Sequence, residues 1–389
     1  MFGSASSLLD SQARDWPVFT SLMYVLYCAA ISSLLLGAFA MVLEHTVVIP
    51  NDDPLIYFHG RWDSSPGTWW AGSGLKLNVK NLEALTLNLG PHTTGPWTSV
   101  GISLNYGEFS TANISAGCNV IPISAAFKAG PEDTTVVRVN VEGWQNNRMN
   151  LESIVLNKGA SLVPYIPSKL VFEFVGDSLS AGQFLPNGVD QAWPFLVGEA
   201  YKAEHVVIAQ PGAALTDIVS YGNQHGVSFQ FFRTEDTGYF NTIDHNFTTP
   251  WNFARDKPAP THLVIHIGAN DASQNVTATE FVKVYTDFVG RLRTIYKHQP
   301  IFVFTPWGWL HPDGTTSRYY DGQYQKIVDT RHAAGDKNVF LVDTTGWLSY
   351  ADVFPGNGHP NIPGHERIAR EFQGWLENWG LEPERRWSN

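Results

Sequence analysis

Basic residues are scarce in this chain: 25 Lys and Arg stand against 36 Asp and Glu, a formal charge of -11, and no block of Lys or Arg occurs. That excludes nucleic acid as a partner, because phosphate backbones are bound through clustered positive charge. Cysteine is almost absent, with Cys28 and Cys118 the two in 389 residues. Cys28 falls in an apolar segment, so no disulfide within a folded domain is available. Neither Cys has companions at zinc-ligand spacing, and no metal or other cofactor is expected. Charged residues make up only 16% against 43% hydrophobic, which excludes a disordered chain and supplies material for large cores.

Tryptophan, by contrast, is plentiful: there are 14, many outside regular apolar runs. Such indoles pack domain edges, or lie flat against sugar rings. From Pro17 to Leu43 the sequence has no charged residue. That exceeds the roughly 20 residues a helix needs to cross a bilayer. Arg14 precedes it and the next basic residue is Arg61, a bias that places residues 1–16 in the cytosol and the remainder outside. The segment 17–43 therefore reads as a transmembrane signal anchor; its rival is a cleaved signal peptide ending at "AFA", Ala38 to Ala40. Sequons at Asn113, Asn246 and Asn275 agree with a luminal or extracellular location for the remainder.

Two textures follow. Over residues 44–168 the pattern has period two: Leu85, Leu87 and Leu89 alternate with Thr86 and Asn88, and Val137, Val139 and Val141 with Arg138 and Asn140. Alternation broken by Gly and Pro turns reads as antiparallel sheet, hence a β-sandwich or jelly roll. Over 169–389 five short apolar runs appear, "LVFEFVG", "HVVIAQPG", "HLVIHIGAND", "IFVFTPWG" and "VFLVDTTG". Separated by helical stretches such as Phe281, Tyr285, Phe288 and Leu292, they predict a parallel sheet covered on both faces.

Ligands of such sheets bind at the carboxyl ends of the strands. Those ends carry Gly176-Asp177-Ser178, then Gln210-Pro211-Gly212, then Gly268, Asn270 and Asp271, with Trp307 ending the fourth strand and Asp343 in the fifth. A serine with small and amide-bearing neighbours is what acyl transfer uses: a nucleophile, and N–H groups to hold an oxyanion. The base comes from "GNGHPNIPGHERIA", where His359 lies in a loop and His365 begins the last helix, a position for packing.

"GDSLSAG" from Gly176, Gly212, "GAND" from Gly268, and "HPN" with its following "GH" from His359 to His365 together resemble the SGNH (GDSL) hydrolases. The "YFHGRWDSSPGTWWAGSGLKLNV" stretch from Tyr57 to Val79 resembles the sandwich of carbohydrate esterase family two. The resemblance implies a flavodoxin-like three-layer α/β domain behind a jelly roll. It makes Ser178 the nucleophile and His359 the base, with the Ser178 and Gly212 N–H groups and the Asn270 amide as the oxyanion hole. Asp177 fixes the turn. Many relatives carry an aspartate three residues before the histidine, where this chain has Gly356. The imidazole is then held by a backbone carbonyl in a Ser–His dyad, or by Asp352 as a displaced third member. Trp307 and Trp309 are candidates for substrate contact.

The expected activity is removal of O-acetyl groups from carbohydrate, with xylan or glucomannan implied by the resemblance. A lipase or general short-chain carboxylesterase on the same fold is one alternative. An inactive glycan-binding protein is the other.

Overall fold

A computed structural model describes residues 46–123, 133–143, 147–235 and 249–389. The apolar segment 17–43, Cys28 and Asn246 lie outside the described residues. Among the described residues no helix is long and apolar enough to cross a membrane.

Strands up to Val163 form two antiparallel sheets. One runs Val47–Pro50, Met149–Leu156, Leu85–Leu89, Gly117–Ile121 in spatial order; Gly67–Thr68 also pairs with Met149–Leu156. The other runs Ser161–Val163, Gly74–Lys80, Thr134–Val141, Thr98–Leu104, Ser110–Ile114, and Tyr57–His59 pairs with Gly74–Lys80. Their inner faces share one core, in which Leu75, Leu77, Leu85, Leu87, Val137, Val139, Leu151 and Ile154 are fully buried. Leu85–Leu89 alternates buried and half-buried as its pattern predicts. Thr134–Val141 does not: Arg138 and Asn140 on its polar face are buried too. That face is covered by the second part of the chain, where Glu199 takes the Arg138 guanidinium at 2.5 Å and Asp190 accepts from Asn140 Nδ2 at 3.3 Å.

From Val171 the chain builds a five-stranded all-parallel sheet. The strands, in chain order, are Val171–Gly176, Glu204–Ala209, His262–His266, Ile301–Phe304 and Val339–Val342, and their spatial order is second, first, third, fourth, fifth. The first strand pairs on both edges, with Phe174 opposite Val207 and Val264. Helices cover both faces. Ala278–Leu292 buries Phe281, Tyr285, Phe288 and Leu292 and is capped by Thr277, which accepts from the Glu280 N–H. Ile362–Trp379 buries Ile368, Phe372 and Leu376 on the opposite face, starts on Asn361 and stops at left-handed Gly380. The fourth and fifth strands end at Phe304 and Val342, so Trp307 and Asp343 lie just beyond them in loops. Residues 47–389 form one compact unit.

Candidate active site

The first strand ends at Gly176, and Asp177 turns the chain into a single helical turn, Ser178–Ala181. Asp177 caps that turn by accepting from the Leu179 N–H at 3.0 Å. Ser178 is thereby held at the carboxyl edge of the sheet. Its Oγ lies 2.9 Å from His359 Nε2. The other ring nitrogen, His359 Nδ1, lies 3.1 Å from the Asn357 carbonyl oxygen. A carbonyl only accepts, so Nδ1 carries the proton and Nε2 offers its lone pair to the serine hydroxyl. Burial holds the His359 pKa below the ordinary histidine value, and the Asn357 carbonyl opposes it. The imidazole is thus neutral, the form a general base requires.

Asp352 has a different task from the one considered for it. Its Oδ2 accepts from Ser349 N at 2.8 Å and Ser349 Oγ at 2.7 Å, closing a capping box, and its Oδ1 pairs with Arg367 Nε at 3.4 Å. Both carboxylate oxygens are engaged there, and Nδ1 of His359 is served by Asn357.

The remaining oxyanion candidates meet beside Ser178. Gly212 sits at φ 77°, and a Cβ on it would come within 2.8 Å of the Tyr221 side chain. Its carbonyl oxygen accepts from Ser220 Oγ at 2.7 Å. Asn270 lies on the short helix Ala269–Ser273 that follows the third strand, and its Nδ2 donates to the Ala213 carbonyl at 3.0 Å and to Asp177 Oδ2 at 3.3 Å. Asp177 therefore links the turn bearing Ser178 to the Asn270 amide, a contact not evident from its motif position. Burial pushes its carboxyl up to about 7. Asp271, fully buried, accepts from Leu215 N at 2.7 Å and Thr216 N at 2.9 Å, tying the loop after Gly212 to the helix bearing Asn270. The "GAND" block contains this residue, but only the fold reveals which loop it holds.

Ser178, Gly212, Asn270 and His359 line one cavity of about 400 Å³, together with Trp307 and Trp309. Trp307 is buried and stacks on His266 at 4.1 Å, so it forms a wall. Trp309 is 40% exposed and lies over Gly358. Tyr221, Tyr319 and Gln183, which no sequence motif marked, line the same cavity. His365 is buried, its Nδ1 accepts from Trp193 N at 3.1 Å, and burial pushes its pKa down to about 3. Asn113 and Asn275 are exposed, as is Cys118 on an edge strand. Among the described residues no group of His, Cys, Asp or Glu could hold a metal.

Residues 174–367, which span all four motif blocks, match the family model described as GDSL-like Lipase/Acylhydrolase. That part of the chain belongs to this family. No curated relative matches it at the level of sequence. Solved structures match the GDSL hydrolase over most of its length. A family two carbohydrate esterase from Cellvibrio japonicus is 16% identical with a TM-score of 0.67, covering 86% of this chain and 97% of its own. A family two carbohydrate esterase from Clostridium thermocellum, in complex with cellohexaose, is 19% identical with a TM-score of 0.64, covering 83% and 98%. An acetyl xylan esterase from Butyrivibrio proteoclasticus is 16% identical with a TM-score of 0.64, covering 86% and 98%. At these identities the likeness is one of fold.

Proposed function

We propose that this GDSL hydrolase removes O-acetyl groups from a carbohydrate, with xylan, glucomannan or another cell-wall polysaccharide as the substrate class. The observation that carries the reading is the 2.9 Å contact between Ser178 Oγ and a His359 whose Nδ1 is held by a carbonyl. Ser178 attacks the acetyl carbonyl as His359 Nε2 takes its proton. The Ser178 and Gly212 N–H groups and the Asn270 amide receive the developing oxyanion, which requires the amide to exchange its long contact with Asp177 for the substrate oxygen. The imidazolium gives its proton to the leaving sugar oxygen; a water, giving its own proton to His359, then attacks the acetyl-serine, and Ser178 Oγ regains a proton as acetate leaves. The cavity lining mixes indole and phenol rings with amide and hydroxyl groups, which suits a small acyl group on a hydroxyl-rich alcohol better than a long acyl chain. The similarity to carbohydrate esterases supports the same choice. Trp309, with its exposed ring at the rim, is the stronger candidate for stacking on a sugar.

The apolar segment 17–43 and the sequons at Asn113, Asn246 and Asn275 support a membrane-held, luminal or extracellular enzyme. The test is acetate release from acetylated xylan and glucomannan set beside hydrolysis of long-chain esters. Turnover of the polysaccharides that vanishes in Ser178→Ala supports the reading. A preference for long-chain esters makes the protein a lipase, and no turnover of any ester leaves a glycan-binding protein.

A further inference from the structure

Phe184 combines two features that a folded chain ordinarily avoids. Its backbone lies at φ 71°, in the left-handed region where a bulky side chain is strained. The residue is 49% exposed. Strain that persists in a folded protein collects at functional sites, where the surroundings enforce it. The ring's partners here are His359, edge-to-face with centroids 4.9 Å apart and planes at 80°, and Phe354 at 6.4 Å and 71°. A residue from the nucleophile's own loop thus reaches across to the base.

We propose that Phe184 is a positioning residue that holds the His359 imidazole in place of the carboxylate this site lacks. The inference rests on the esterase reading above. In a triad the acid fixes the ring's orientation and stabilises the imidazolium that forms. Here Nδ1 meets a neutral carbonyl, Asn357, and Nε2 the Ser178 hydroxyl, two bonds at opposite ends of the ring that leave a tilt about the line joining them unopposed. Phe184 packs on the imidazole and limits that tilt, and Phe354, whose own N–H donates to the His359 carbonyl at 2.8 Å, backs it from the same loop. The charge stabilisation that a triad carboxylate gives the imidazolium is missing here. The other titratable groups around the imidazole do not supply it. His365 on the closing helix is kept neutral by burial, and Asp352 is occupied by Ser349 and Arg367.

Three variants test this: Phe184→Leu keeps bulk without a ring, Phe184→Gly removes the ring and relieves the backbone, and Phe184→Tyr keeps both ring and strain. Leu and Gly are expected to lower kcat about tenfold with KM for a small acetyl ester unchanged, because a loosened base misaligns the proton transfer. Tyr retains most of the wild-type rate. Phe184→Gly melts within about 3 °C of wild type, since a glycine at positive φ offsets the loss of a half-exposed residue's ring. The acid limb of its kcat/KM profile moves to higher pH, because water reaches an imidazole whose pKa burial had lowered. A change confined to KM makes Phe184 a substrate contact and overturns the proposal. So does an unchanged kcat in Leu and Gly, or a loss of activity that tracks a loss of melting temperature in all three variants. No turnover of any ester by the wild type, by contrast, removes the esterase reading itself.

Discussion

The seam between the sandwich and the parallel sheet and the carboxyl edge of that sheet both bury ionisable groups, but they satisfy them by opposite means. At the seam three buried cations meet carboxylates. Arg61 faces Glu173, Lys76 is hydrogen-bonded to Glu204, and Arg138 pairs with Glu199. At the edge no counter-ion enters. Ser178, His359 and Asn270 are held by hydrogen bonds to one another, to backbone carbonyls and to the Asp177 carboxylate. Burial pushes the Glu204 carboxyl up, but Lys76's charge and hydrogen bond bring it down to about 2. Asp177, with no cation beside it, is pushed up to about 7 by burial. Paired charges lock two sheets in register at the cost of leaving nothing reactive. Unpaired dipoles leave charge to be supplied by the reaction, which is the condition for stabilising an oxyanion selectively.

The sharpest break of this contrast is Ser178→Ala. Its expected loss is about 10⁴-fold or more in kcat, with an unchanged circular dichroism spectrum; a folded variant that keeps its rate ends the assignment. Lys76→Met breaks the seam instead. It strands the Glu204 charge in the interior and is expected to cost about 3–5 kcal/mol of stability, read by denaturant unfolding, with the rate per folded molecule unaltered. An equal loss of kcat would mean the seam and the edge are not independent.

The same pair predicts an acid limit. Because the folded Glu204 pKa is depressed to about 2, its contribution is present above the ordinary carboxylate value of 4.5 and is lost as pH falls from there towards 2. Melting curves of the wild type across that window should fall more steeply than those of Lys76→Met. Asn270→Ala should lower kcat about 10²–10³-fold with little change in KM; an effect on KM alone would place Asn270 on the ground-state substrate. Asp352→Asn should have the smallest effect, within about threefold in kcat at every pH, since no imidazolium depends on its charge. A drop beyond a hundredfold would restore Asp352 as a third catalytic member and remove the need for Phe184.

Much of the α/β half could be read directly. Each parallel strand is a nearly continuous apolar run, and Phe281 through Leu292 repeat at helical spacing, so both declare themselves within a few residues. The reactive blocks were legible because Gly-Asp-Ser and Gly-Ala-Asn-Asp follow such runs immediately. Arg138 and Asn140 misled: on an alternating strand they read as solvent-facing, and they are buried because a distant helix covers that face. Asp352 drew attention by proximity to His359 in the sequence, yet its local capping box with Ser349 claims it. Phe184 gave no signal, as positive φ at a phenylalanine has no signature in composition or period.

By itself, then, the sequence determined the strands, the helices and the order of the chemical groups, because these follow from hydrophobic period and turn residues acting over short distances. Only the tertiary structure decided that Ser178 and His359, 181 residues apart, stand 2.9 Å from each other. It alone decided that Asn357, not Asp352, sets the tautomer of that histidine. Such contacts depend on how loops return to one sheet edge, and that is settled by the packing of the sheet and its helices as a whole.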